Sequence, residues 1–250
     1  LDIFQYEGLH YQTIFRHAVT FLKASGSLSS LLQEPAPSPL DLKKYIAGPG
    51  THPGLLDPLL LNLLTKCIVT DIQLEQLFTR LRKAFLESFL TRSEKNQGVY
   101  PLVPLIQAMA VQCFFTEYIY STEDKEDRQV KELLTTLAAM EKAPESDDLD
   151  LALALCACYI PLNNVPVPKN IRTDTPYGKL MMTFQIHMVR QECNFKKDIP
   201  SLCSEQTEST EPVKIQYEEY PYPRWISMDS ALLKTMNMTL RDFILSKYPA

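Results

Sequence analysis

The chain predicts an all-α fold, an irregular multi-helix bundle or repeat-like helical array without a substantial sheet. Apolar residues recur at i, i+3, i+4 and i+7 through most of its 250 residues, and no stretch alternates apolar with polar as a half-buried strand would. Glycine is scarce and proline abundant, 7 against 18, which suits short helices joined by stiff connectors and argues against a phosphate-cradling glycine loop or a run of hairpins. Most apolar runs also follow a Ser, Thr or Asp placed to cap them. The expected organisation is an N-terminal part of helices and Pro-rich connector (1–50), a central helical domain (51–200), and a C-terminal part (201–250) holding a polar segment, an aromatic motif and a last helix.

Taken in order, residues 8–25 place Tyr11, Ile14, Phe15, Ala18, Val19 and Leu22 on one stripe, and Gly26 stops the helix. Ser27 caps a short helix through Glu34, and Pro35, Pro37 and Pro39 make a stiff connector after it. Two more turns over 40–47 end at Gly48-Pro49-Gly50. Residues 55–65 are apolar nearly all round, with Pro58 in the first turn, so this helix must be buried on most sides. Thr70 or Asp71 caps a long helix with Leu74, Leu77, Phe78, Leu81, Phe85, Leu86 and Phe89 inward and Arg80, Arg82 and Lys83 on the wet side. Pro101 and Pro104 open a thick apolar helix that takes in Leu105, Met109, Val111, Gln112, Phe115 and Ile119. Thr122 or Asp124 caps the next, whose first-turn acids suit the helix dipole and whose Val130, Leu133, Leu134, Leu137 and Met140 face in. Ser146 caps a helix running to Ile160, and residues 161–168 form a connector. Thr175 or Thr173 caps a helix through Phe184, Ile186, Met188 and Val189 to Cys193; Ser201 to Thr210 are a surface loop or a helix start, and Thr239 caps 240–248.

The net charge of −5 is uneven, since residues 123–150 hold ten acids and four bases and the rest sums to about +1. That excludes the basic face of a nucleic-acid binder, and the acidic run reads as solvated surface. No apolar stretch of roughly 18 or more residues is present, and residues 1–20 lack a basic-then-apolar leader pattern, so a cytoplasmic chain off the membrane is expected. Asn237-Met238-Thr239 fits the glycosylation triplet, which such a chain never uses. The six cysteines sit mostly inside apolar helix and lack paired spacing, as buried thiols in a reducing compartment do.

Candidate chemistry is thin. Cys156 and Cys158 point about 200° apart on a helix and cannot chelate one ion. His10 and His17 share a face but have no third ligand nearby, and His187 with Cys193 lacks an orienting group. Glu117, among apolar residues with Gln112 and Cys113, marks either a satisfied internal partner or a cleft. No catalytic, cofactor or metal residues are assigned.

The densest chemistry is Gln216-Tyr217-Glu218-Glu219-Tyr220-Pro221-Tyr222-Pro223-Arg224-Trp225, three tyrosines, two prolines, an arginine and the sole tryptophan in ten residues. The Tyr-Pro steps hold the chain extended, because proline fixes its own φ and keeps the preceding residue out of the helical region. Such a segment is either an interface, with Tyr217, Glu218, Tyr220, Tyr222, Arg224 and Trp225 binding a partner, or a clamp that closes a helix layer.

This motif resembles the Q-Y-E-E-x-P-Y-P-R-W signature of a bacterial family in which tetratricopeptide or similar helical regions precede an S-adenosylmethionine-dependent methyltransferase domain. Asp57-Pro58-Leu59-Leu60-Leu61, Val69-Thr70-Asp71 with Leu74-Glu75 and Leu81-Arg82, Gln112-Cys113-Phe114 with Glu117-Tyr118, and Tyr159-Ile160-Pro161-Leu162 fall in the order of that family's inter-domain region. The resemblance implies that the last helix leads toward a doubly wound catalytic domain whose glycine-rich turn holds the cofactor. No such turn occurs in this sequence, so S-adenosylmethionine is expected only on a domain absent here, and none in this chain. The expectation is a non-catalytic interaction or regulatory module docking a catalytic domain or substrate protein. The alternative is a stand-alone helical adaptor or secreted effector.

Overall fold

The computed structural model describes residues 11–26, 28–32, 52–91, 97–140, 146–168, 171 and 174–198. Among them the chain is all-α: helices and connecting turns, with no strand. The helices are α1 (Phe15–Ala24), α2 (Pro58–Lys66), α3 (Ile72–Leu90), α4 (Val103–Phe115), α5 (Asp124–Ala139), α6 (Asp147–Ala157), α7 (Pro176–Met182) and α8 (Val189–Asp198). A π-helical stretch, Thr183–Met188, joins α7 to α8 without a break. The Ser27 cap, the turns expected over 40–47, the polar segment 201–210 and the helix expected over 240–248 lie outside the described residues.

α4 is the axis of the fold. Every residue from Leu105 to Phe115 is buried, because α2, α6 and α7 all pack on it. The helix can be apolar on all sides only because it is covered on all sides. Its two internal glutamines answer the polarity of their neighbours. Gln107 accepts from the Thr175 hydroxyl, which in turn caps Gly178 N at 2.9 Å. Gln112, its amide set to satisfy both ends, donates to Leu64 O and Cys67 O and accepts from Val69 N at 3.0 Å. Gly178 is required where α7 crosses α4: a Cβ there would stand 2.9 Å from Gln107 Nε2.

The helix starts follow the sequence closely. Asp57 accepts from Leu59 N at 2.8 Å and caps α2 at Pro58, after a 3-10 turn at Pro53–Leu56 whose own N-cap is His52. Asp71 caps α3, Ser146 caps α6 and Thr175 caps α7. Gly26 ends the first element with φ +74, a conformation that side-chain-bearing residues avoid.

Four expectations are corrected. Arg82 is not on the wet side of α3 but 1% exposed. Ile119 is not part of α4, which ends at Phe115, and it stands 57% exposed. Neither Thr122 nor Asp124 caps α5: Glu123 holds the N-cap position and makes no side-chain cap bond. The helix expected to reach Ile160 ends at Ala157, where Cys158 already begins the turn.

Candidate functional site

The residues from Leu81 to Leu90 carry a charge into the core. Arg82 lies four residues after Phe78 and three before Phe85, so it shares the apolar stripe of α3. Its Nη1 donates to Cys158 O at 3.4 Å, and Nη2 donates to Tyr120 O at 3.4 Å and Ser121 O at 3.1 Å. Cys158 is the C-cap of α6, whose end leaves its carbonyl without a helical donor, and Tyr120 and Ser121 lie in the connection from α4 to α5. One guanidinium, with its fan of donors, thus ties the end of α6 and the α4–α5 connection to α3.

Its charge is met from α5. Glu126 is 2% exposed, and its Oε1 lies 3.6 Å from Arg82 Nε while accepting from Tyr159 Oη at 2.5 Å. The Tyr159 ring stacks under the guanidinium, 4.3 Å from Cζ to ring centroid, and Tyr120 flanks it at 5.8 Å. Burial pushes the Tyr159 phenol well above its ordinary range, reinforced by the charge of Glu126 and opposed by Arg82. Arg82 is itself held more firmly protonated: burial opposes its charge, and the surrounding Cys113, Tyr159 and Glu126 outweigh that.

Two thiols border this node. Cys158 donates weakly to Ile106 O at 3.5 Å, and burial drives its pKa well up. For Cys113 burial works upward too, but the contact with Cys158 and the Arg82 guanidinium turns the net direction down. Both sulfurs are sealed, at 1% exposure each. Cys67 and Cys156 are simpler: burial raises each to about 12, so neither is a nucleophile at neutral pH.

The turn that Arg82 grips is strained. Glu117 and Tyr118 have φ of 49 and 57, left-handed for two successive residues with side chains. Tyr118 N donates back to Cys113 O at 2.8 Å, closing the end of α4. The Tyr118 hydroxyl donates to Gln185 Oε1 at 3.2 Å. Gln185, fully buried in the π-helical stretch, also accepts from Leu162 N at 3.1 Å and donates to Ala110 O at 2.8 Å and Ala157 O at 3.1 Å. Both ends of that amide are satisfied, and residues from four elements converge on it.

Outside this turn the structure opens a groove of about 410 Å³, lined by Ile72, Glu75, Gln76, Thr79, Arg80, Ile119, Tyr120 and Ser121. Ile72 is 71% and Ile119 57% exposed, so two large aliphatic side chains stand in water on one surface. Glu75 sits among them, its carboxyl pushed up by partial burial and then by the charge of Asp71. Asp71 has its own cation, Lys23 at 2.7 Å; among the described residues Glu75 forms no ion pair.

The six motif residues read as partner-binding, Tyr217, Glu218, Tyr220, Tyr222, Arg224 and Trp225, lie outside the described residues, as does His10. Of the other candidates, Gln112 and Cys113 are core residues, while His17, His187 and Cys193 are exposed on separate elements. Among the described residues no group of three or more His, Cys, Asp or Glu is placed to hold a metal, and no helix is long and apolar enough to cross a membrane. The buried node was missed although a signal existed: Glu126 precedes Val130, Leu133 and Leu137 at helical spacing, as Arg82 does Phe85 and Phe89. Two opposite charges on two apolar stripes are an invitation to pair.

Compared with known proteins, the chain matches no family model, no curated protein and no solved structure.

Proposed function

We propose that this chain is a non-catalytic helical interaction module, cytoplasmic, that docks a protein partner through two elements: the groove between α3 and residues 119–121, and the aromatic segment 216–225. What carries the reading is the pairing of two aliphatic side chains, Ile72 and Ile119, exposed together on one groove. Solvated isoleucine costs hydration free energy, and burying each against a partner returns about 1.5–3 kcal/mol. The wall bearing Ile119 is held by Arg82 through Tyr120 O and Ser121 O, so the surface is pre-formed before any partner arrives. The methyltransferase resemblance of the motif names the partner class: an adjacent S-adenosylmethionine-dependent catalytic domain, or its substrate protein.

Replacing Arg224 and Trp225 together by alanine tests the motif's part. Weakened docking at unchanged melting temperature is expected, whereas a lowered melting temperature with docking intact marks the segment as a structural clamp. A calorimetric titration with S-adenosylmethionine is expected to release no heat; micromolar binding would overturn the non-catalytic reading.

A further inference from the structure

Two thiols and a guanidinium share one closed space between α3, α4 and the end of α6. Ile106 and Cys113 stand seven residues apart on α4, two turns on and only about 20° from alignment. A carbonyl leans toward the helix C-terminus and a side chain back toward the N-terminus, so Ile106 O and the Cys113 sulfur lie on one stripe and lean toward each other. Cys158, the C-cap of α6, enters there: its thiol donates to Ile106 O at 3.5 Å and is in hydrogen-bond contact with Cys113 as well. Arg82 closes the third side, its Nη1 on Cys158 O at 3.4 Å and its guanidinium in contact with the Cys113 sulfur. Each sulfur is 1% exposed. The two are not equivalent. Burial pushes both thiols up, and at Cys158 it prevails; at Cys113 the Cys158 S–H and the Arg82 charge reverse it. A sulfur that favours its thiolate beside one that keeps its proton is the pairing of an attacking and a resolving thiol.

Independently of the docking reading, we propose that Cys113 and Cys158 are a redox couple that a small peroxide converts to a disulfide, locking the last turn of α4 to the end of α6. The Cys113 sulfur attacks one oxygen of hydrogen peroxide. The O–O bond breaks, and the departing hydroxide takes the thiol proton as water, leaving Cys113 as a sulfenic acid. The Cys158 sulfur then attacks the Cys113 sulfur, the S–O bond breaks, and the second hydroxide leaves as water with the Cys158 proton. Two electrons pass from the sulfurs to the peroxide, and a dithiol reductant returns them. Burial selects the oxidant: a peroxide, little larger than water, enters when the cover opens locally, and a bulky disulfide reagent does not. The bond is made directly before the connection that Arg82 grips at Tyr120 O and Ser121 O, so oxidation tightens a junction the reduced chain already ties.

The test exposes the full native chain to hydrogen peroxide, blocks the remaining thiols with iodoacetamide, and maps linked peptides by mass spectrometry. The expected result is a linkage of Cys113 to Cys158 that dithiothreitol reverses, with slower amide exchange at residues 113–121 in the oxidised chain. Dithionitrobenzoate on the native chain should label the exposed Cys193 and spare Cys113 and Cys158. Cys158→Ala should hold Cys113 at the sulfenic acid, where dimedone traps it, and Cys113→Ala should leave Cys158 reduced at the same peroxide dose. Cys193→Ser should leave the linkage unchanged. If an alanine variant fails to fold, the linkage map of the wild-type chain decides alone. Peroxide that oxidises Cys193 while Cys113 and Cys158 stay free overturns the proposal. So does a linkage of either one to a different cysteine, or their separate conversion to sulfinic acids. Rapid labelling of both by dithionitrobenzoate overturns the selection of a small oxidant.

Discussion

The two faces of α3 handle arginine in opposite ways. Arg80 lines the open groove with Ile72, Glu75 and Thr79, whereas Arg82, two residues on, is sealed between α5 and the turns after α4 and α6. Helical periodicity sets the two side chains on different faces, but it does not say which face is wet. What decides is the supply of carbonyls outside the helical ladder, Cys158 O at the end of α6 and Tyr120 O and Ser121 O in the α4–α5 connection, and a buried carboxylate at Glu126 that balances the charge. The rear of the helix uses its polarity to hold the fold; the front leaves aliphatic surface, Ile72 and Ile119, in water.

The largest effect should come from breaking the rear. Arg82→Met leaves Glu126 buried without its cation and three carbonyls without a donor, and should cost about 3–5 kcal/mol in urea denaturation. Adding Glu126→Leu and Tyr159→Phe should recover much of that loss, because an apolar replacement of the whole node removes the unpaired charge. A triple variant no more stable than Arg82→Met would mean that the carbonyls, not the carboxylate, set the cost.

Next is Gln185→Leu, which removes the side-chain partner of Ala110 O, Ala157 O, Leu162 N and the Tyr118 hydroxyl. A loss of about 2–3 kcal/mol is expected, with faster amide exchange at residues 117–121 than elsewhere in the chain. Gly178→Ala should cost about 1–3 kcal/mol, since the new methyl meets a Gln107 amide already engaged by Thr175.

The front of α3 should respond weakly. Ile72→Ser and Ile119→Ser should change stability by less than about 0.5 kcal/mol, which separates a binding surface from a packed one. Glu75 has a predictable sign. Partial burial and Asp71 raise its carboxyl, so the folded chain holds that proton where the unfolded chain has released it. Stability contributed by this group is therefore fully present below the ordinary glutamate value, about 4.3, and is lost as pH rises from there through the raised folded value. Glu75→Gln should flatten that slope in urea midpoints, and an unaltered slope would place the proton elsewhere.

Much of the fold was legible because helix grammar is local. Asp71, Ser146 and Thr175 act as the caps their positions suggest, and the all-apolar faces of α2 and α4 announced their burial. The site was less so. α4 stops at Phe115 without glycine or proline, through left-handed Glu117 and Tyr118, a conformation whose cost is met by tertiary bonds that no local window contains. For that reason Ile119 read as one more core residue of a longer helix, when it is an exposed rim of the groove. The π-helical stretch at Thr183–Met188 was equally hidden, its Gln185 reaching carbonyls on α4 and α6.

Photo-cross-linking from single positions of the full chain in its producing cells tests the division of α3 most directly. A photoreactive residue at 119 should give one defined adduct to a partner protein, and Ile72→Asp should abolish it. The same residue at 195 on α8, where Phe195 is 58% exposed but lies outside the groove, should give none. Equal, diffuse adducts from both positions would show that the groove is ordinary surface and contradict the account.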